Sequence, residues 1–182
     1  MSFCLWIMGL PGSGKSTIVR ELEQIFSETS LNFVTLSLDE IRKVLTPEPK
    51  YTDQEREFVY RSLVLMAKLM VEYCSKNVII DATGNRRAFR NLARQLIPEF
   101  AEVYVKCPFE ICQLREGSRN AHSVEKNLYQ KAKAGQLQGE LPDVSVPYEK
   151  PRDPEIQVSS DKLTPRESAR KIMEYVRSRW TE

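Results

Sequence analysis

The chain has 182 residues, 41% apolar and 29% charged, with a formal net charge of +2. That length predicts one domain with a buried core, and that charge balance gives no reason to expect wholesale binding to nucleic acid or membrane. A lone histidine, His122, argues against a histidine zinc site or a Ser-His triad.

In chain order, Phe3 to Met8 is an apolar run that reads as a buried strand. Thr17 to Phe26 then carries apolar residues at 18, 22, 25 and 26, which is helical spacing. Between them Gly9, Leu10, Pro11, Gly12, Ser13, Gly14, Lys15, Ser16 and Thr17 fit G-x-x-x-x-G-K-[ST], the loop whose backbone N–H groups cradle nucleotide phosphates. Average residue usage would bring those fixed positions together by accident in roughly one such chain per hundred. Strand, glycine loop and helix also aim a helix N-terminus at an anion, which a chance turn does not. Lys15 is the expected catalytic cation at the β/γ-phosphates, and the Ser16 hydroxyl the expected Mg²⁺ ligand.

Asn32 to Leu38 is a second strand, running into Asp39. A carboxylate just past a strand of an open parallel sheet faces the ligand crevice. Asp39 is therefore a candidate general base for a substrate hydroxyl, or an orienter of Mg²⁺; its plainer reading is a helix N-cap. After the proline-rich connection 46–50, Thr52 to Cys74 is the longest helix, with Val59, Leu63, Met66, Met70 and Tyr73 as its buried stripe. Arg56 and Arg61 flank its start, as a clamp for an anion or as ordinary surface arginines.

Val78 to Ile80 is a third strand, closed by Asp81 in the manner of a Walker-B acid that holds Mg²⁺ directly or through water. Asp81 to Gly84 also fit D-x-x-G, but no N-K-x-D guanine motif accompanies them. Arg86, Arg90 and Arg94, with Arg87 beside them, gather on one helix face, either solvated or, at Arg86, touching substrate. Ala101 to Val105 is a fourth strand, Glu110 to Arg115 a short helix and 116–127 a polar insertion. A basic helix over 128–135 and the proline-studded 139–154 predict a lid, about 116–150, that closes on bound nucleotide. Glu155 to Ser159 is a fifth strand. Thr164-Pro165-Arg-Glu167 is a capping box for a last helix with Ala169, Ile172, Met173, Val176 and Trp180 inward. The expected fold is α/β: a three-layer α/β/α sandwich on a parallel sheet, of P-loop, nucleotide-monophosphate-kinase type, one domain over 1–182.

Cys4, Cys74, Cys107 and Cys112 lack C-x-x-C spacing and read as small buried hydrophobes in a reducing compartment. The apolar runs are far too short to span a bilayer, and a phosphate loop at residue 9 leaves no room for a signal peptide. The expected location is the cytoplasm.

Several stretches resemble the adenylylsulfate kinases. Residues 127–139 (NLYQKAKAGQLQG) are similar to that family's GLYKKARAGEIKG lid, and 146–156 (VPYEKPRDPEI) to its DPYEPPENPEI. EVYVKCPFE at 102–110 resembles EVYVDCPLE, and YTDQER at 51–56 resembles FTEEDR; Leu38 to Arg42 stand where the family has LDGDNVR. The resemblance implies transfer of the ATP γ-phosphate to the 3′-hydroxyl of adenylylsulfate, the activation step of sulfate assimilation, with ATP and Mg²⁺ as cofactors. It implies that Asp39 takes the hydroxyl proton, that Arg42 and Arg56 hold adenylylsulfate, and that Tyr51 lies near its adenine. It puts Lys131 near the phosphates as a catalytic lid lysine, and Arg115 by the ATP base. It also leaves a homodimer open.

The chain departs from the family at Val59, where an asparagine is usual, and at Glu140-Leu141, where phenylalanine-threonine is usual. Residues 116–126 look inserted. The ISPYR loop is replaced by Ala82 to Arg86, of which Thr83 and Arg86 are chemically alike and are the remaining substrate-binding candidates. Asp39-x-x-Arg42 and Asp81-x-Thr83 are also similar to polynucleotide-kinase-like enzymes. A kinase with another acceptor and a nucleotide-gated binding module therefore stay open beside adenylylsulfate.

Overall fold

Because β1 (Cys4–Met8) is apolar at every position and covered on both faces, it forms the centre of the sheet. The computed structural model describes residues 2–118, 127–137, 139 and 141–181. Five parallel strands run in the order β2 (Phe33–Ser37), β3 (Asn77–Asp81), β1, β4 (Phe100–Lys106), β5 (Ile156–Ser159). Successive side chains of a strand face opposite ways. Phe3, Leu5 and Ile7 accordingly enter one core with α1 (Lys15–Ser27) and α7 (Pro165–Trp180). Cys4, Trp6 and Met8 enter the other, with α3 (Asp53–Tyr73) and α4 (Arg87–Leu96). These are the three layers expected. A smaller cluster joins Leu10 and Cys112 of α5 (Phe109–Gly117) to Tyr129 of α6 (Leu128–Lys133), Leu141 and Tyr148. The Thr164 capping box is present in full.

Four local expectations are corrected. On α3 the buried apolar set is Val59, Tyr60, Leu63, Val64 and Ala67, while Tyr73 is 71% exposed. At about 100° per residue that set centres well to one side of Val59, and Tyr73 falls roughly 100° from its middle. Trp180, expected inward, is half-buried at the end of α7, where its ring stacks on Phe3 at 4.4 Å. Cys4 and Cys112 are buried and Cys107 half-buried, but Cys74 is exposed, because it caps the end of α3.

The arginines of α4 do not make a solvated basic face. Arg90 has no exposed surface, Arg94 grips Glu155 and lies 3.8 Å from Glu102, and Arg87 lies 3.7 Å from Glu149. Their partner carboxylates come from β4 and from residues 149–155, so no pattern within α4 announces them. The insertion expected at 116–127 lies largely outside the described residues. Where it is described, the buried Glu116 carboxylate accepts the Leu128 N–H at 3.0 Å and so anchors the start of α6.

Candidate active site

Between β1 and α1 the chain turns through Gly12 (φ 78°) and Gly14 (φ 95°), both in the left-handed region that side chains resist. A Cβ on Gly12 would also stand 2.2 Å from the Cys112 carbonyl oxygen. The Ser13 N–H closes the turn on the Leu10 carbonyl at 3.0 Å. Two outside hydroxyls brace the loop: Tyr129 donates to the Pro11 carbonyl at 2.8 Å, and Ser160 to that of Ser13 at 2.7 Å. Burial holds the Tyr129 phenol far above the usual tyrosine range, so it stays a donor. Lys15 opens α1, largely buried, with its Nζ donating to the Leu10 carbonyl at 2.9 Å.

The loop forms one wall of a cleft of about 710 Å³, within the size range of ligand sites. Pro11, Gly12, Gly14, Lys15, Ser16 and Thr17 line it, while Gly9, Leu10 and the buried Ser13 lie behind them. The register explains the opposite wall. Ser37 pairs with Asp81 across β2 and β3, and Ile7 pairs with Asp81 across β1 and β3. Asp81 and Asp39, two residues beyond β2, thus both reach the cleft at the carboxyl ends of the strands. Asp39 is not the helix cap. β2 passes straight into α2 (Leu38–Leu45), so Ser37 takes that position and Asp39 sits exposed in the first turn.

Arg42, Tyr51, Arg56 and Thr83 also line the cleft. Glu55 organises the first two: its carboxylate meets Arg42 at 3.3 Å and accepts the N–H groups of Lys50 (2.7 Å) and Tyr51 (3.3 Å). Tyr51 is held there at φ 54°, and the Arg42 guanidinium lies 5.8 Å from its ring centroid. Arg56 is 7% exposed and lies 3.9 Å from Asp53. Arg115 lines both this cleft and a neighbouring cavity of about 470 Å³, and donates to Ser160 Oγ and carbonyl at 3.2 and 2.9 Å. Gly14 and Thr17 line both cavities as well, so the second continues from the phosphate loop.

Arg86 and Lys131 do not line the cleft; Arg86 pairs with Asp53 at 2.5 Å, and Lys131 sits on α6. Val59, at the position where the resemblance places an asparagine, is fully buried against the sheet. Arg20, Tyr60 and Asn85, none of them expected site residues, also line the cleft, as does Leu141, one of the departures from the family. Arg20 had a signal, since it follows Ser16 by four residues on the same helix face. Tyr60 had none beyond its place beside Val59. Its hydroxyl accepts the Gly84 N–H at 3.0 Å, and burial outweighs that bond and the nearby Arg42 and Arg56 to raise its pKa.

Five cations (Lys15, Arg20, Arg42, Arg56, Arg115) face two carboxylates in the cleft, which suits a polyanionic ligand. Ser16, Asp39 and Asp81 supply only hard oxygen donors, the set for a magnesium-like cation that keeps several waters. No cluster of three or more His, Cys, Asp or Glu among the described residues could hold a metal by itself.

A braced glycine loop at the head of a parallel sheet, with a lysine folded over it and an acid across the cleft, defines a P-loop kinase. The family model for adenylylsulphate kinase matches residues 1–159, and the chain belongs to that family. An adenylyl-sulfate kinase of Halothermothrix orenii is 35% identical over 172 residues, covering 94% of this chain and 88% of the relative. One from Saccharomyces cerevisiae is 33% identical over 176 residues, covering 94% and 82%. Among solved structures, the Mycobacterium tuberculosis APS kinase CysC in complex with AMPPNP and APS is similar at a TM-score of 0.84. Its identity is 25%, and the match covers 96% of this chain and 97% of that one.

Proposed function

We propose that the chain transfers the γ-phosphoryl group of ATP to the 3′-hydroxyl of adenylylsulfate, giving 3′-phosphoadenylylsulfate and ADP. The observation that carries this reading is the single cleft with the phosphate loop on one wall and Asp39, Arg42, Tyr51 and Arg56 on the other. Family membership and the M. tuberculosis neighbour solved with AMPPNP and APS support that acceptor.

The loop N–H groups and Lys15 hold the triphosphate, and Arg115 faces the cavity into which the ATP base continues. Asp39 accepts the proton of the attacking hydroxyl, and the arginine pair grips the phosphosulfate by charge-assisted hydrogen bonds. Thr83 and the apolar Leu141 complete the acceptor wall. Ser16 and Asp81 would hold Mg²⁺, which would neutralise charge on the transferring phosphate. The whole chain works as one kinase domain, with a lid over about 116–150 (residues 119–126, 138 and 140 lie outside the described residues). Tyr129, bonded to Pro11, ties that lid to the loop. Lys131 on α6 and Arg86, paired with Asp53, lie outside the cleft lining and take no direct part in this reading.

No helix among the described residues is long and apolar enough to cross a membrane, and a cytoplasmic location is part of this reading. A homodimer is too, with the exposed Phe58, Leu65, Leu69 and Tyr73 of α3 as a face to bury. The deciding experiment is ADP release measured side by side with adenylylsulfate, with a 5′-hydroxyl oligonucleotide and with no acceptor. Stimulation by adenylylsulfate alone is expected. Stimulation by the oligonucleotide alone would move the acceptor, and none at all would leave a nucleotide-gated module.

A further inference from the structure

Arg90, in the first half of α4, has no exposed surface. A guanidinium is costly to bury unless its N–H groups are met. It donates to the Gly84 carbonyl and, at 2.7 Å, to the Glu149 carbonyl, and its Nε lies 3.5 Å from Glu102 Oε1. Gly84 belongs to the β3–α4 loop, and Glu149 to the segment that returns from the lid to β5. Those segments also meet directly, through the Glu149 N–H on the Asn85 carbonyl (2.9 Å) and the Arg87 N–H on the Glu149 carboxylate (2.8 Å). Around the same loop, the Trp6 indole donates to the Ala82 carbonyl at 3.1 Å, and Tyr60 takes the Gly84 N–H. A Cβ on Gly84 would press on the Trp6 indole and on Arg90 Cδ at 3.2–3.3 Å. The loop therefore has its shape imposed from four sides, and its Thr83 and Asn85 face the cleft.

We infer that Arg90 is a positioning residue for the acceptor: it locks the β3–α4 loop to the lid's returning segment, so that Thr83 and Asn85 keep their place only while that segment is docked. Arginine is required because two carbonyls from different segments need N–H groups diverging from one rigid plane. A lysine would keep the charge opposite Glu102 and lose one of the two carbonyls. This inference rests on the acceptor wall assigned above.

The test compares the full chain with Arg90→Lys and Arg90→Met. Michaelis constants for adenylylsulfate and ATP are measured separately, and amide hydrogen exchange is followed in segments 82–87 and 146–151. The expected result in Arg90→Lys is an adenylylsulfate KM raised on the order of tenfold, with the ATP KM within about twofold. Exchange should quicken in those two segments while the 9–17 loop stays protected. Arg90→Met should behave alike and more strongly; where it does not fold, Arg90→Lys decides. Both KM values rising together, with exchange quickened through the phosphate loop, would mean plain loss of stability and overturn the inference. Unchanged exchange in the two segments overturns it, and so does quickened exchange with an unmoved acceptor KM. A wild-type chain indifferent to adenylylsulfate sinks the acceptor reading instead. Arg90 is then decided by the exchange result and by the KM for whichever hydroxyl acceptor the chain phosphorylates.

Discussion

Asparagine at position 39 separates chemistry from architecture. Asp39 stands exposed in the first turn of α2, with Ser37 as the cap, so Asp39→Asn removes no capping bond. The fold gives up only a favourable charge at a helix N-terminus, about 0.3–1 kcal/mol. In a chain of this size that is a melting shift of at most about 4 °C. A lost general base costs roughly 10²–10⁴ in rate, equivalent to about 2.7–5.4 kcal/mol on the barrier. The two effects differ enough to be read apart in one preparation. The assay is initial-rate ADP release at saturating ATP and adenylylsulfate, paired with a thermal melt. The expected variant melts within a few degrees of wild type and turns over at least about a hundredfold more slowly. An Asp39→Asn chain with a native melt and a rate within about tenfold of wild type would refute the assignment of Asp39 as base.

Lys15→Ala should abolish transfer while leaving the melting curve near native, since the ammonium rests on the Leu10 carbonyl at the loop and serves the phosphates; near-normal turnover would sink the phosphate-loop role. Arg56→Lys keeps the charge and loses the planar fork, so the adenylylsulfate KM should rise sharply with the ATP KM unmoved; equal rises in both would show a loosened cleft instead. Glu155 predicts a pH effect. Burial pushes its carboxyl up, but the Arg94 pair and the Glu102 N–H outweigh burial and leave it below the ordinary value of 4.5. A lowered folded-state pKa means stability present above that ordinary value and lost as pH falls through the folded one. Urea midpoints followed from pH 7 to 3 should therefore drop less steeply in Glu155→Gln than in wild type, and parallel curves would remove Glu155 from the acid limb.

The phosphate loop was legible at once, because few residue choices let a backbone turn its N–H groups onto a phosphate, and Gly9 to Thr17 make nearly all of them. All five strands were legible within a residue, β1, β3 and β4 as near-continuous apolar runs, since a strand covered on both faces leaves no polar side to encode. The last helix carried its own start signal in Thr164 and Glu167, three residues apart and independent of everything else. Asp39 and Asp81 were legible as candidates because both end strands, but only the register of β2 and β1 on β3 put them at one cleft. The arginines show where local reading stops. Arg42, Arg56, Arg86, Arg90 and Arg94 present one signal, a basic residue on an amphipathic helix. Tertiary structure sends the first two to the cleft, pairs Arg86 with Asp53, buries Arg90 under two carbonyls and gives Arg94 to Glu155. A guanidinium's role depends on which acceptors surround it. Those acceptors come from β4, from α3, from the β3–α4 loop and from residues 149–155, so the outcome is written in the packing of other segments and in no helix by itself.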